Sequence, residues 1–486
     1  MTTLILGVSG ARGIVGDGLD ETVAAHLARA FVKVVGPGRL LIGRDSRPSG
    51  PSLSRAAAAA AAGAGCDVAD LGIVPTPTVQ VAVEAGGARG GLVVTASHNP
   101  PAWNALKFVG PTGAFLDASA MQALIAEFRR ASPVARVPGA DVGAPAADRR
   151  AVERAGARAP GGPSCAPAST PAGERAIEQH LALVLRVAQQ GAIRRAAARV
   201  VVDAVHGAGQ VLIGPLLERL GVRVEWIDGE PDGRLPDRPE PRAERLAPLA
   251  RAVEQAGADL GFALDPDGDR CALVLPGEVL GEEWTLPLSV LQVLREGRRG
   301  PLVANLSTSA RIEWVAQRHG LRVERAPVGE AHVVARMKAC GAVLGGEGNG
   351  GVIDPRVHYG RDAAVAIAHL LGLDAAGRDG RGGVREAVVL FPPFVLVKSE
   401  VPLGREALPG LEAELTGGLG APNDRADGLR WSWPDRWLHV RPSNTEPFVR
   451  IFAEAPERDA AEALVARVAA AAQRVAGGER DAKEER

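Results

Sequence analysis

Short apolar runs rich in Val, Leu and Ile recur along the chain. Each ends in a polar or glycine-rich loop and is followed by a helical pattern. RLLIGRDSR (39–47), GLVVTASHNP (91–100), RVVVDAVHGAG (199–209), DLGFALDPDGDR (259–270), PLVANLSTS (301–309) and AVLGGEGNGG (342–351) are the clearest cases. Nearly continuous apolar strands separated by helices predict sheets covered on both faces, hence α/β architecture. In such folds ligands sit at the carboxyl ends of strands, which is where these polar clusters fall.

The pattern breaks over 132–175, a stretch rich in Ala, Pro, Gly and Arg, with only a weak helical period at 147–158. It reads as an extended linker or poorly ordered insertion. Helical periodicity resumes near Ala176 with AIEQHLALVLRVA. The pattern changes again after the strand CALVL and near 388, where VVLFPPFVLVKSEV opens a last region. The expected segments are 1–131, the linker 132–175, then 176–277, 278–388 and 389–486.

At 486 residues the chain is too long for one hydrophobic core, in agreement with several domains. With aromatics at only 3%, the cores must be built from Ala, Val and Leu. The formal net charge of -1 offers no general attraction for nucleic acid or an anionic membrane. Cys66, Cys165, Cys271 and Cys340 are widely spaced and form no CxxC pair, which argues against a zinc or disulfide scaffold and suits a reducing cytoplasm. Glycine interrupts the apolar start MTTLILGVSG early, so no signal segment is expected there, and no later run is long and apolar enough to span a bilayer.

Four loops carry candidate chemistry. Thr95-Ala96-Ser97-His98-Asn99-Pro100 closes an apolar strand, so Ser97 would be presented beside backbone N–H groups that can stabilise a phosphate, with His98 next to it. Plain turn chemistry explains the same residues, and the GxSxG of a hydrolase elbow is absent. Asp265-Pro266-Asp267-Gly268-Asp269-Arg270 concentrates three alternating carboxylates, which repel one another unless a hard cation such as Mg²⁺ or Ca²⁺ lies among them. An EF-hand is excluded because Arg270 and Pro276 stand where it needs Gly and Glu. In Gly346-Glu347-Gly348-Asn349-Gly350-Gly351 the glycines let the backbone approach a ligand and Glu347 can accept from vicinal hydroxyls, although a flexible hairpin has the same composition. Arg441-Pro442-Ser443-Asn444-Thr445-Glu446-Pro447 combines one guanidinium, two hydroxyls and an amide that can surround a phosphate; a solvated loop is the alternative. Together the four supply a nucleophile, a cation site, a hydroxyl reader and a phosphate cradle, the inventory of phosphoryl transfer between a serine and a sugar phosphate.

In these loops, and in Ser9-Gly10-Ala11-Arg12-Gly13, the chain resembles the α-D-phosphohexomutase superfamily of phosphoglucomutases, phosphomannomutases and phosphoglucosamine mutases. The resemblance covers almost the whole chain outside the linker. It implies four domains around a central cleft, three similar α/β units with mixed sheets and a fourth of α+β class. These would be a phosphoserine, a metal-binding, a sugar-binding and a phosphate-binding domain in chain order. It further implies that Ser97 is phosphorylated and that Asp265, Asp267 and Asp269 hold Mg²⁺ with an oxygen from the serine phosphate. Arg12 and Arg270 become cationic groups near the transferring phosphoryl, and Lys107, ten residues after Ser97, an aid to proton transfer. Glu347 would accept from the sugar, with Asn349 beside it, while Arg441, Ser443, Asn444 and Thr445 grip the phosphate that stays.

Two departures stand out. Many bacterial members read GE-x-SGH, so serine has become Asn349 and histidine Gly351; this version looks like the archaeal-type enzymes. Glu330 stands where some relatives have histidine. The expected reaction is interconversion of hexose 6- and 1-phosphates through a hexose 1,6-bisphosphate, which also serves as activator. The sugar loop points to glucosamine phosphate, and a phosphomannomutase or phosphoglucomutase would use the same loops. A non-catalytic sugar-phosphate binding protein and a metal-dependent phosphatase are the readings from other classes. The expected partner is a small phosphosugar, for a cytoplasmic monomer or homodimer.

Overall fold

The computed structural model describes residues 3–131, 169–378, 380, 382–443 and 448–484. The helical period at 147–158 and most of the expected linker lie outside them.

The apolar runs become the central strands of three sheets that share one topology. In the first, Arg39–Arg44 is flanked in parallel by Asp67–Ile73 on one side and Gly90–Val94 on the other, and Gly90–Val94 turns back into antiparallel Trp103–Val109. Gly10–Val15 extends that edge. The second repeats the scheme with Arg199–Asp203 between Arg223–Ile227 and Leu260–Leu264, followed by antiparallel Cys271–Leu275. The third places Leu302–Asn305 between Val323–Ala326 and Leu344–Glu347, followed by antiparallel Gly351–Ile353. The expected mixed sheets in three similar α/β units are therefore present.

This topology positions the chemistry. Where two neighbouring strands send their chains to opposite sides of a sheet, their carboxyl ends leave a crevice. In every unit the connection from the third strand to its antiparallel partner lies at that crevice. Those three connections are the Ser97 loop, the Asp265–Arg270 loop and the Glu347–Gly351 loop. The first strand of each unit also ends alike. Asp45, Asp203 and Asn305 each accept the N–H two residues on, at 3.0, 3.0 and 2.9 Å. These Asx turns stop the strand and open the crevice floor.

Helices cover both faces of the sheets. Glu21–Val35 starts at Asp20, whose carboxylate accepts from Val23 N at 2.8 Å, and buries Val23, Leu27 and Phe31 on one stripe. The helix Pro171–Val187 begins five residues before the expected Ala176, because Thr170 caps it and Pro171 suits its first turn. It ties the units together: Thr170 Oγ1 donates to Asp70 O at 2.8 Å, while Leu181 and Val184 join the core of the second unit. Ala363–Arg378 is buried on all sides, and one continuous apolar cluster spans the second and third units around it. The strand Glu278–Gly281, just past residue 277, pairs within the second sheet.

The fourth unit is an antiparallel sheet, ordered Val395–Pro402, Phe448–Ala455, Trp437–Pro442, Leu429–Ser432, covered by the helices Leu408–Leu419 and Arg458–Glu484. It docks through Lys398 on Glu282 and Glu283, at 2.9 and 2.8 Å, and through Glu454, which accepts from Ala310 N at 2.8 Å. Among the described residues no helix is long and apolar enough to cross a membrane.

Candidate active site

Ser97 follows strand Gly90–Val94 with its backbone at φ 48°, in the left-handed region, where a residue with a Cβ is held at a cost of about 1–3 kcal/mol. The surroundings impose it. Ser97 N donates to Thr95 Oγ1 at 2.9 Å, and Thr95 Oγ1 donates to Asp45 Oδ2 at 2.6 Å. Arg47, with no exposed surface, pairs with Asp45 at 3.0 Å. It also donates to the carbonyls of Ser97, Asn99, Pro100 and Trp103 at 2.6, 2.7, 2.8 and 2.9 Å. One buried guanidinium thus pins the whole serine loop. The Asp-x-Arg string in RLLIGRDSR was its only trace in the sequence, and composition alone assigned it no role.

Ser97 is 6% exposed and its hydroxyl donates to Asp265 Oδ2 at 2.9 Å. His98 Nδ1 lies 3.4 Å from Ser97 Oγ. Burial, then the Arg270 and Arg12 cations, push the His98 imidazole well below its usual range, so it is neutral near pH 7. Arg12 lies on Gly10–Val15 opposite Ala105, two positions from Lys107 on the adjoining strand.

The three carboxylates are fully buried, and their oxygens come within 4.8 Å of one another. Burial pushes Asp267 up, but the Lys107 ammonium at 2.6 Å and the Thr76 hydroxyl at 2.6 Å overcome it and hold the acid well below the usual range. Asp265 goes the other way. Burial and the charges of Asp269 and Asp267 raise it well above normal, although its Oδ1 accepts from the N–H groups of Asp269 and Arg270. Asp267 Oδ1 and Asp269 Oδ1 are buried without a hydrogen-bond partner. Such a set, all hard oxygens, crowded and partly unpaired, fits a divalent cation. Arg270 stands over the loop, 3.6 Å from Asp269, 3.8 Å from Asp265 and 3.2 Å from Glu240.

The Gly346–Gly351 loop, expected to read hydroxyls, joins this cluster through a residue the sequence did not single out. Arg361, 8% exposed, pairs with Asp269 and Glu347 at 2.6 Å each and with Glu330 at 3.1 Å. Burial acts to raise Glu347, but Arg361, Asn305 Nδ2 at 2.8 Å and Gly329 N at 2.9 Å hold it low and ionised. Asn349 stays within its own loop, donating to Glu347 Oε2 at 3.4 Å and accepting from Gly351 N at 3.2 Å.

Arg361 also touches two of the positions that depart from the bacterial pattern, Gly351 and Glu330. A Cβ at Gly351 would lie 2.3 Å from Arg361 Cδ, so a histidine there and this arginine exclude each other. Glu330, in place of histidine, supplies a third carboxylate to this guanidinium, and Gln80 Nε2 secures it at 3.0 Å.

The loop expected to cradle a phosphate is described only in part, with Asn444 and Thr445 outside the described residues. Arg441 and Arg450 are cross-strand neighbours, an arrangement of like charges that is costly unless an anion lies between or beside them. Asp427 meets Arg441 at 2.9 Å and also accepts from Val328 N at 3.0 Å, next to the Gly329 that binds Glu347. Ser443 N is tied to Phe448 O at 2.8 Å. The four loops are thus linked in one series, from Ser97 through Asp265, Asp269, Arg361 and Glu347, then by the backbone of Gly329 and Val328 to Asp427 and Arg441.

Profiles of four domains match the chain in order. They are phosphoglucomutase/phosphomannomutase alpha/beta/alpha domain I at residues 3–134, domain II at 178–278, domain III at 285–382 and the C-terminal domain at 396–471. A phosphoglucomutase/phosphomannomutase of Thermococcus kodakarensis is 32% identical over 466 residues, covering 94% of this chain and 96% of that one. A probable phosphoglucosamine mutase of Methanopyrus kandleri is 32% identical over 463 residues, covering 94% and 95%. The crystal structure of a phosphoglucomutase/phosphomannomutase family protein from Burkholderia thailandensis superposes with a TM-score of 0.76 at 25% identity, covering 98% of each chain.

Proposed function

The chain belongs to the phosphoglucomutase/phosphomannomutase family within the α-D-phosphohexomutases, and from that premise we propose a phosphosugar mutase that passes a phosphoryl group through Ser97. The observation that carries the reading is the contact of Ser97 Oγ with Asp265, at 2.9 Å, inside a buried carboxylate triplet with unpaired oxygens.

Asp265, Asp267 and Asp269 would hold Mg²⁺, which neutralises charge on the transferring phosphoryl oxygens. With Ser97 phosphorylated, the P–O bond to its Oγ breaks as one forms to a free hydroxyl of a hexose monophosphate, and the proton that hydroxyl gives up ends on Ser97 Oγ. The bisphosphorylated sugar then turns over and returns its other phosphoryl to Ser97. Arg12 and Arg270 add positive charge around the reacting group. Burial works to lower Lys107, but Asp267 and Asp269 raise it, so it holds a proton to share with the reacting oxygen. His98 is neutral and next to the serine. Glu347 and Asn349 face the sugar hydroxyls, with Arg361 fixing Glu347. Arg441, Ser443, Asn444 and Thr445 grip the phosphate that is not transferred.

Glucosamine 6-phosphate to glucosamine 1-phosphate is the proposed reaction. It is supported by the archaeal relatives named for that activity and by the Arg361–Glu330–Gly351 arrangement. The same reading places the enzyme in the cytoplasm as a monomer or homodimer acting on a small phosphosugar. Ser97→Ala should lose turnover while keeping sugar-phosphate binding. Near-normal turnover of that variant with the 1,6-bisphosphate present would overturn the assignment. A panel of glucosamine, glucose and mannose phosphates on phosphorylated enzyme decides the sugar.

A further inference from the structure

A second cluster of metal-ligating side chains lies outside the site. His180 projects from the helix Pro171–Val187, while His358 and Asp362 precede the buried helix Ala363–Arg378. All three are buried, and one ligand atom from each comes within 4.8 Å of the others. His180 Nε2 lies 2.7 Å, and His358 Nε2 3.4 Å, from Asp362 Oδ2, with the two rings edge to face. His358 is 3% exposed, yet neither of its ring nitrogens has a hydrogen-bond partner. Only the Asp362 carboxylate at 3.4 Å offsets the desolvation of that imidazole, and among the described residues nothing offsets it at Nδ1.

We propose that His180, His358 and Asp362 form a second metal site, for a nitrogen-preferring divalent transition metal such as Zn²⁺. The donor set of two imidazoles and one carboxylate suits such an ion, whereas the all-oxygen triplet at Asp265–Asp269 suits Mg²⁺. Supporting groups are in place. Thr78 Oγ1 meets His180 Nδ1 at 2.9 Å and fixes the ring so that Nε2 faces Asp362, and Ala364 N donates to the other Asp362 oxygen at 2.8 Å. The ion replaces the proton between His180 and Asp362 and opens that contact toward the roughly 3.3 Å spacing of adjacent ligands around tetrahedral zinc. Its role is a staple: it joins the first unit, through Thr78, and the bridging helix to the segment that carries Arg361.

The test is Co²⁺ titration of the full chain in excess Mg²⁺, read by the visible absorption of tetrahedral cobalt, with the metal content of the purified protein measured after dialysis against Mg²⁺. As purified, wild type should retain one Zn²⁺ per chain, and after that metal is stripped with a chelator and Mg²⁺ is restored it should take up one Co²⁺ per chain. His358→Gln should lose both signals, Thr78→Val should bind about tenfold more weakly, and Asp267→Asn should keep the band. The proposal fails if wild type shows no band and no retained metal, in which case the cluster is only a hydrogen-bonded clasp. It fails equally if the band survives His358→Gln or disappears in Asp267→Asn alone. Should His358→Gln not fold, the wild-type metal content and Thr78→Val still decide.

Discussion

Replacing Arg47 tests whether the serine is positioned by one buried cation. Arg47 makes five interactions, the ion pair with Asp45 at 3.0 Å and four bonds to loop carbonyls between 2.6 and 2.9 Å. Arg47→Met keeps the length but leaves Asp45 buried without its counter-charge, for which about 3–5 kcal/mol of stability is the expected loss. Arg47→Lys is the sharper probe. It retains the charge for Asp45, but an ammonium has three donors and no planar fork, so it cannot reach all the carbonyls at once. Freed of them, Ser97 can relax from φ 48°, where it is held at about 1–3 kcal/mol. A displacement of about 1 Å at the nucleophile lowers turnover by about a hundredfold. The assay is initial-rate kinetics of Arg47→Lys with the bisphosphate present, alongside thermal unfolding. The expected result is a fall in kcat of about that size with KM kept, in a folded protein. A kcat within about twofold of wild type would show that the loop holds its shape without the fork, and the positioning argument would be wrong.

Three further outcomes follow from the site. Gly351→Ala puts a carbon 2.3 Å from Arg361 Cδ, and displacing that side chain should cost about 1–3 kcal/mol and raise KM for the sugar phosphate; unchanged kinetics would refute the exclusion between residue 351 and Arg361. Asp267→Asn should abolish activity together with Mg²⁺ dependence, so activity unaffected by EDTA in that variant would contradict the cation site. Burial lowers His439 to about 4, outweighing Asp427, from an ordinary value of 6.5. The unfolded chain therefore binds the extra proton between those values. Stability falls as pH drops below about 6.5 and levels off below about 4, with about 2 kcal/mol lost between pH 7.5 and 5. Chemical unfolding of wild type against His439→Gln checks this, and equal pH slopes for the two would refute it.

Much of this protein was legible in its sequence because the informative signals are local. An apolar run followed by a polar loop states both a buried strand and the place where its chemistry is delivered. DPDGDR announces a cation because three carboxylates so near in sequence cannot be far apart in space. The serine loop and the carboxylate triplet were found in this way, Lys107 and Arg270 through the family resemblance, and the fold brings them together.

What the sequence could not state is which distant charges answer one another. Arg361 belongs to Asp269, Glu347 and Glu330 only after the second and third units pack around a common core. Nothing in the sequence sets Arg47 apart from the chain's other arginines; folding surrounds it with carbonyls. His180 and Asp362 meet across 182 residues. Composition and periodicity report how a segment prefers to be buried. They carry no information about partners that chain entropy keeps apart until the tertiary structure is formed, and it is those partners that set the charge, strain and selectivity of the site.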